Sequence, residues 1–311
     1  MPEHQKKHIF RSRLAPTPSG FLHIGNVYSF LLTWLWTRLN NGQLVLRIDD
    51  MDGDRCRDEY LQDIFDTLYF LGIDYDEGPT SITDFKQHFA QQKKLDVYNE
   101  CIHQLQLKNV LYACICSRKD MLENSGKMDP LNCKGKHLPF DTIGAALRID
   151  LKDSSVLNFQ DVLQQEQVVN LQTEMPDFIV RQKNGLPAYQ ICSLIDDLQL
   201  GVTHIVRGED LLPSTAAQLY LAKLLGKEDF EQIHFLHHPL VKTNNGNKLS
   251  KSAGSSSIKS MRSNGYAAKQ VLAEIALMLG IKNYQPQNLK DLLQFIIAHD
   301  GEEIGIFAGL K

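Results

Sequence analysis

Apolar positions in the first 70 residues switch between two periods. Residues 10–15 read as a short strand that runs into the turn-rich Pro16-Thr17-Pro18-Ser19-Gly20. Val27, Phe30, Leu31, Trp34, Leu35 and Leu39 recur at helical spacing and predict a helix over 24–39, stopped by Asn40, Asn41 and Gly42. Residues 44–48 form an apolar strand that ends in the acidic cluster Asp49, Asp50, Asp52 and Asp54. Residues 59–71 are an amphipathic helix stopped by Gly72. Strand, helix, strand, helix at these lengths predicts an α/β fold with helices packed on a parallel sheet.

The stretch from about 101 to 179 has a different texture. It carries a cysteine cluster and short alternating segments at 145–151 and 168–173, and reads as a smaller mixed module inserted in the sheet domain. Strand-like apolar runs return at 188–197 and 203–207. Residues 214–225 form a strong amphipathic helix ending at Gly226, residues 252–257 look like a flexible link, and the chain beyond is helical, notably 267–279. The expected organisation is therefore 1–100, the first half of a catalytic sheet domain; 101–180, the insert; 181–257, the second half; and 258–311, a helical segment.

Composition narrows the class. Hydrophobic residues at 43% and charged residues at 23% are ordinary for a globular chain of 311 residues. No run approaches the ~20 apolar residues of a membrane span, and the first ten residues lack the apolar region of a secretory signal. A cytoplasmic protein without a membrane partner is expected. In such a reducing compartment the six cysteines are unlikely to form a disulfide framework. The net charge of −4 excludes a uniformly basic nucleic-acid binder but leaves room for a local patch. Residues 232–270 contain no Asp or Glu, while Lys242, Lys248, Lys251, Lys259, Arg262 and Lys269 fall inside them. A solvated basic face is the plain alternative.

Three segments carry candidate chemistry. The first, Pro18-Ser19-Gly20-Phe21-Leu22-His23-Ile24-Gly25-Asn26, joins the first strand to the first helix. Ligands of open parallel sheets sit beyond the carboxyl ends of the strands, and a helix N-terminus there offers N–H donors and a positive dipole end to phosphate. His23 can donate to a phosphate oxygen, and Gly25 admits close approach. The second is Lys248-Leu249-Ser250-Lys251-Ser252, whose ammonium groups could neutralise a polyphosphate as charge builds. The third is Cys114-Ile115-Cys116 with Cys133, thiols spaced so that they could share a tetrahedral zinc, although paired cysteines also arise by chance.

Taken together, Pro-Thr-Pro-Ser-Gly-Phe-Leu-His-Ile-Gly and the later Lys-Leu-Ser-Lys-Ser resemble the paired signatures of the class I aminoacyl-tRNA synthetases. Ser12-Arg13-Leu14-Ala15-Pro16-Thr17, Leu46-Arg47-Ile48-Asp49-Asp50, Gly185-Leu186-Pro187-Ala188-Tyr189, Asp196-Asp197 and the segment from Gly201 to Leu211 are similar to the glutamyl group, in family order. The resemblance implies a Rossmann-like fold with a zinc-containing insert. It implies that Arg13 and Arg207 bind glutamate, with Leu14, Ala15, Pro16 and Thr17 lining the pocket, Tyr189 closing it and Asp49 holding the ammonium. It gives His23, Gly25, Lys248 and Lys251 to ATP and Mg²⁺ chemistry. The family's Ile-Glu-Asp is Ile48-Asp49-Asp50 here, one methylene shorter, which weakens the assignment of amino-acid specificity.

The family often carries zinc at Cys114, Cys116 and Cys133, and small paralogues add a tyrosine four residues before the last cysteine. Asp129 stands at that place, and His137 is a second candidate for the fourth ligand. Only about 59 residues follow Ser252, fewer than the anticodon-binding region of full-length glutamyl-tRNA synthetases needs. The resemblance therefore points to the short glutamyl-queuosine tRNA(Asp) branch. It implies a monomer that activates glutamate with ATP without tRNA and transfers it to queuosine in the tRNA(Asp) anticodon stem-loop. A truncated enzyme charging the acceptor end, a nucleotidyltransferase using another carboxylate, and an inactive RNA-binding relative remain as alternatives.

Overall fold

The computed structural model describes residues 9–51, 53–117, 119–120, 129, 131–151, 155–240 and 257–299. Asp52, Lys248, Lys251 and most of the 252–257 link lie outside the described residues. The chain divides into two compact units. One is Met1–Ala90 with Gly201–Glu209 and His234–Lys311, and the other is Gln91–Leu200 with Asp210–Ile233.

The first unit is built on parallel strands. β1 (Arg11–Leu14) pairs in parallel with β2 (Gln43–Leu46), and the ladder continues past β2 where Arg47 N–H donates to the Leu14 carbonyl at 2.9 Å. Thr203 N–H donates to the Arg11 carbonyl at 2.8 Å, which sets the start of β8 (His204–Gly208) beside β1. β8 pairs in parallel with β9 (His234–His238). α1 (Ile24–Leu39) lies between β1 and β8 on one side and α7 (Ala268–Met278) and α8 (Leu289–Ala298) on the other. Two covered sides explain why it buries both tryptophans, Trp34 and Trp36, as well as Leu31, Leu32 and Leu35. α2 (Asp58–Leu71) carries Asp58 and Glu59 in its first turn, favourable at the positive end of the dipole. It stops where Gly72 takes a left-handed φ of 71°.

The second unit is mixed. β3 (Leu111–Cys114), β4 (Ala146–Ile149) and β7 (Ile179–Arg181) form an antiparallel sheet in the order β3-β4-β7. β5 (Val156–Asp161) and β6 (Gln165–Asn170) form a hairpin. α3 (Leu95–Leu107), α4 (Tyr189–Gln199) and α5 (Leu212–Leu225) pack against one another. α4 corrects the sequence expectation of a strand at 188–197. Ile191, Leu194 and Ile195 recur at intervals of three and four, and buried Cys192, Ser193 and Asp196 fill the spaces between them, so a helix covered on most sides looked like an apolar strand. Among the described residues no helix is long and apolar enough to cross a membrane.

Buried polar side chains fix α4 to the start of α3. The fully buried Asp196 accepts from Gln91 Nε2 at 2.9 Å, Lys94 Nζ at 2.9 Å and Tyr98 Oη at 2.7 Å. Removing the acceptor strands all three donors. Asp196→Ala is expected to destabilise the protein by about 3 kcal/mol, read by urea denaturation.

In the first unit, the imidazole of His204 stacks on Phe10 at 3.7 Å and lies 4.8 Å from that of His234. Burial, and secondarily His234, push its pKa down from 6.5 to about 3. A histidine whose folded pKa lies below its unfolded value stabilises the fold fully above pH 6.5. That contribution is lost as pH falls from 6.5 toward 3. Melting temperature is expected to fall below about pH 6.5, and His204→Phe to flatten that fall in calorimetric scans across pH.

Candidate functional site

The loop after β1 is stitched to the extension of β2. Asp49 N–H donates to the Pro16 carbonyl at 2.9 Å, and Ser19 N–H to the Thr17 carbonyl at 2.8 Å. The carboxyl ends of two parallel strands therefore open on one place, and α1 begins just beyond it. His23 is the N-cap of α1. Its Nδ1 accepts from Asn26 N–H at 3.3 Å, while Asn26 Oδ1 accepts from His23 N–H at 3.1 Å. This reciprocal cap satisfies two backbone donors and fixes the ring's chemistry. With Nδ1 accepting, a neutral imidazole carries its proton on Nε2. Gly25 has a steric role beside it, because a Cβ there would lie 3.2 Å from the ring at Cε1 and Nδ1.

Charged residues line the strands at the same end. Arg13 on β1 and Arg207 on β8 are buried. Arg13 Nη1 donates to the Val206 carbonyl at 3.4 Å, and the Arg207 guanidinium lies 5.5 Å from the Phe235 ring centroid. Leu14 and Pro16 are buried, Ala15 is partly covered and Thr17 is exposed. Asp49 is buried and held in a fork by Arg47, Nε to Oδ1 at 2.8 Å and Nη2 to Oδ2 at 3.2 Å. The fork fixes the direction of the Asp49 carboxylate. Sequence reading passed over Arg47, although residues two apart on an extended strand share a face. Tyr189 belongs to the second unit, where it is the first residue of α4 and is partly exposed. Lys248 and Lys251 lie outside the described residues.

The second unit holds a separate cluster. Cys114 ends β3, Cys116 follows it and Cys133 starts a single helical turn; one donor atom from each, with a carboxylate oxygen of Asp129, all lie within 4.8 Å of one another. Cys116 Sγ and Cys133 Sγ are 3.7 Å apart. Zinc–sulfur bonds of ~2.3 Å in a tetrahedron require a separation of about that size. Burial pushes the Cys116 thiol up to about 12 and raises that of Cys133. Burial opposes ionisation of Asp129 too, but N–H donors from Lys134 and Cys133 outweigh it and hold the carboxyl below its ordinary range. His137 stands exposed at the end of the turn, outside this group. The cluster can therefore hold a divalent, thiophilic metal, with Asp129 nearest as the fourth donor.

A family model described as "tRNA synthetases class I (E and Q), catalytic domain" matches residues 10–300. Over 298 residues the chain is 33% identical to a protein of Nitratidesulfovibrio vulgaris named Glutamyl-Q tRNA(Asp) synthetase, covering 91% of this chain and 90% of that one. It is 30% identical over 277 residues to the Glutamate–tRNA ligase of Thermodesulfovibrio yellowstonii, covering 86% of this chain and 56% of that one. The chain thus spans just over half the length of that ligase. A crystal structure of a glutamate tRNA ligase from Elizabethkingia meningosepticum superposes with a TM-score of 0.72 at 22% identity, over 92% of this chain and 64% of that one. At that identity the likeness establishes the fold.

The His23 cap makes a spectroscopic prediction. Long-range ¹H–¹⁵N spectra at neutral pH should show His23 protonated on Nε2, and Asn26→Ala should mix the two tautomers. Predominant Nδ1 protonation in the unaltered chain would rule out the reciprocal cap.

Proposed function

The chain belongs to the catalytic-domain family of the class I tRNA synthetases for E and Q, and from that premise we propose that it activates glutamate with ATP and transfers it to the queuosine base of tRNA(Asp). The observation that carries this reading is the capped N-terminus of α1, with an Nε2–H donor at His23, beside the ends of parallel strands that bear buried Arg13, Arg207 and Asp49. A helix N-terminus and an imidazole suit a triphosphate. Two guanidinium groups and one carboxylate suit an acidic amino acid.

In the proposed reaction a glutamate α-carboxylate oxygen attacks the α-phosphorus of ATP in line. The new P–O bond forms as the bond to pyrophosphate breaks, and pyrophosphate leaves. His23 and the α1 amides bind phosphate oxygens, and Gly25 leaves room for the ring to lie in place. Arg13 and Arg207 orient the glutamate carboxylate groups, with Leu14, Ala15, Pro16 and Thr17 beside them. Asp49 receives the ammonium. Mg²⁺ supplies charge neutralisation on the phosphates when bound. Lys248 and Lys251 add charge as the transition state forms. Ser257 bridges His23, and the six Cα–Cα steps from Lys251 to Ser257 can span at most about 22 Å. Catalysis of this kind is mainly positioning and electrostatic stabilisation. A hydroxyl of the queuosine cyclopentene ring then attacks the adenylate carbonyl, and AMP leaves.

The match over 90% of the Glutamyl-Q relative supports queuosine as the acceptor. Zinc at Cys114, Cys116, Cys133 and Asp129 would brace the second unit structurally, since four protein donors leave no open position.

Glutamate-dependent pyrophosphate exchange is expected without tRNA, followed by transfer to tRNA(Asp) only when it bears queuosine. Transfer to the acceptor end of tRNA lacking queuosine would favour the charging alternative instead. Lys251→Ala should lower the exchange rate at saturating substrate by about 100-fold while leaving glutamate affinity nearly unchanged, and equal losses in both would refute its assignment. Elemental analysis of protein prepared without chelator should find one zinc per chain, lost in Cys116→Ser.

A further inference from the structure

One polar contact outside the described chemistry joins the two signature regions. Asp63 sits in the middle of α2, where the helix buries its apolar face on Leu61, Ile64 and Leu68, and its carboxylate is almost fully covered. Oδ2 accepts from Leu22 N–H at 2.9 Å, the last amide before His23. Oδ1 takes Arg262 Nη2 at 2.5 Å, while Arg262 Nη1 reaches Asp66 at 3.5 Å. Arg262 belongs to α6 (Ile258–Ser263), the first described element after the lysine segment. The backbones meet as well, because Ile258 N–H donates to the Leu22 carbonyl at 2.8 Å and Ser257 forms an antiparallel bridge with His23. Lys259 lies 4.0 Å from the ring centroid of Phe21.

A buried carboxylate on an apolar helix face is costly unless it is paired and hydrogen-bonded, and a leucine would fill the place at less cost. Burial pushes the Asp63 carboxyl up, opposed first by the Leu22 amide and then by the Arg262 guanidinium. The contact also has a direction. One oxygen holds the entry to α1 and the other holds the helix on which the chain emerges from its lysine segment.

We propose that Asp63 and Arg262 are positioning residues for adenylate formation, clamping the backbone at Leu22–His23 to that at Ser257–Ile258 so that the His23 imidazole is held in place for the phosphates. This rests on the function proposed above. Neither residue touches substrate. Loosening the clamp shifts groups that act on the transition state and leaves the glutamate pocket on β1, β2 and β8 in place.

The test is glutamate-dependent pyrophosphate exchange by the full chain with Arg262→Ala, Arg262→Lys and the isosteric Asp63→Asn, the last standing in should Arg262→Ala fail to fold. Arg262→Ala should lower kcat by about 10- to 100-fold with KM for glutamate within about twofold. Arg262→Lys, which can still reach one carboxylate oxygen, should recover most of the loss. Unchanged kcat, a matching rise in KM, or a loss accounted for by unfolded protein would overturn the proposal. If the unaltered chain catalyses no exchange, the proposed function falls and hydrogen exchange decides the clamp. Protection of the Leu22 and Ile258 amides that is lost in Asp63→Asn, with the interior of α1 unchanged, upholds it, and unchanged protection overturns it.

Discussion

An α-helix that begins at the end of a parallel sheet leaves its first amide groups without partners of its own, and this vacancy governs the first unit. His23 and Asn26 satisfy two backbone donors reciprocally. An apolar cap would have left those donors to water. A cap with a smaller side chain would have lacked the Nε2–H that a phosphate oxygen can accept. The small residue at 25 follows from the same demand, since the ring needs the space a Cβ would take. Capping, tautomer and steric allowance are one solution to one constraint.

Around that helix end, charge is held by pairing. Asp49 would be a poor buried carboxylate alone, and Arg47, two residues earlier on the same face, both neutralises and aims it. The short aspartate side chain is held by a fork of two hydrogen bonds. Asp63 and Arg262 repeat the device at the back of the same helix start. In the second unit Asp129 is anchored differently, by two backbone N–H groups of the turn that carries Cys133. The turn therefore brings its own acceptor to the three thiols, and the spacing of the sulfurs is set by the fold of the backbone around Cys133.

The alternation of periods in residues 10–71 was readable because strands and helices there each show one face to the core and carry their own stop signals. α1 and α2 end where Asn40 and Gly72 predict. The run at 188–197 misled for the opposite reason: α4 is covered on most sides, so its polar positions are buried and its helical period is blurred. Motif spacing pointed to the first and third chemical segments, because a strand-to-helix junction and a Cys-x-Cys pair are local patterns.

The sequence by itself determined which residues could serve: a histidine at a helix start, three cysteines, two lysines, and arginines on strands. Tertiary structure decided how they are used. It chose Asp129 over His137 as the group near the thiols, because the Asp129 carboxylate is held against Cys133 by the N–H groups of Cys133 and Lys134. It also joined Asp63 to Arg262 across 199 positions of chain, a pairing no local period encodes. Short-range patterns are written in the order of the residues, whereas contacts between distant segments depend on how the strands and helices pack, and that packing is settled only when the whole core forms.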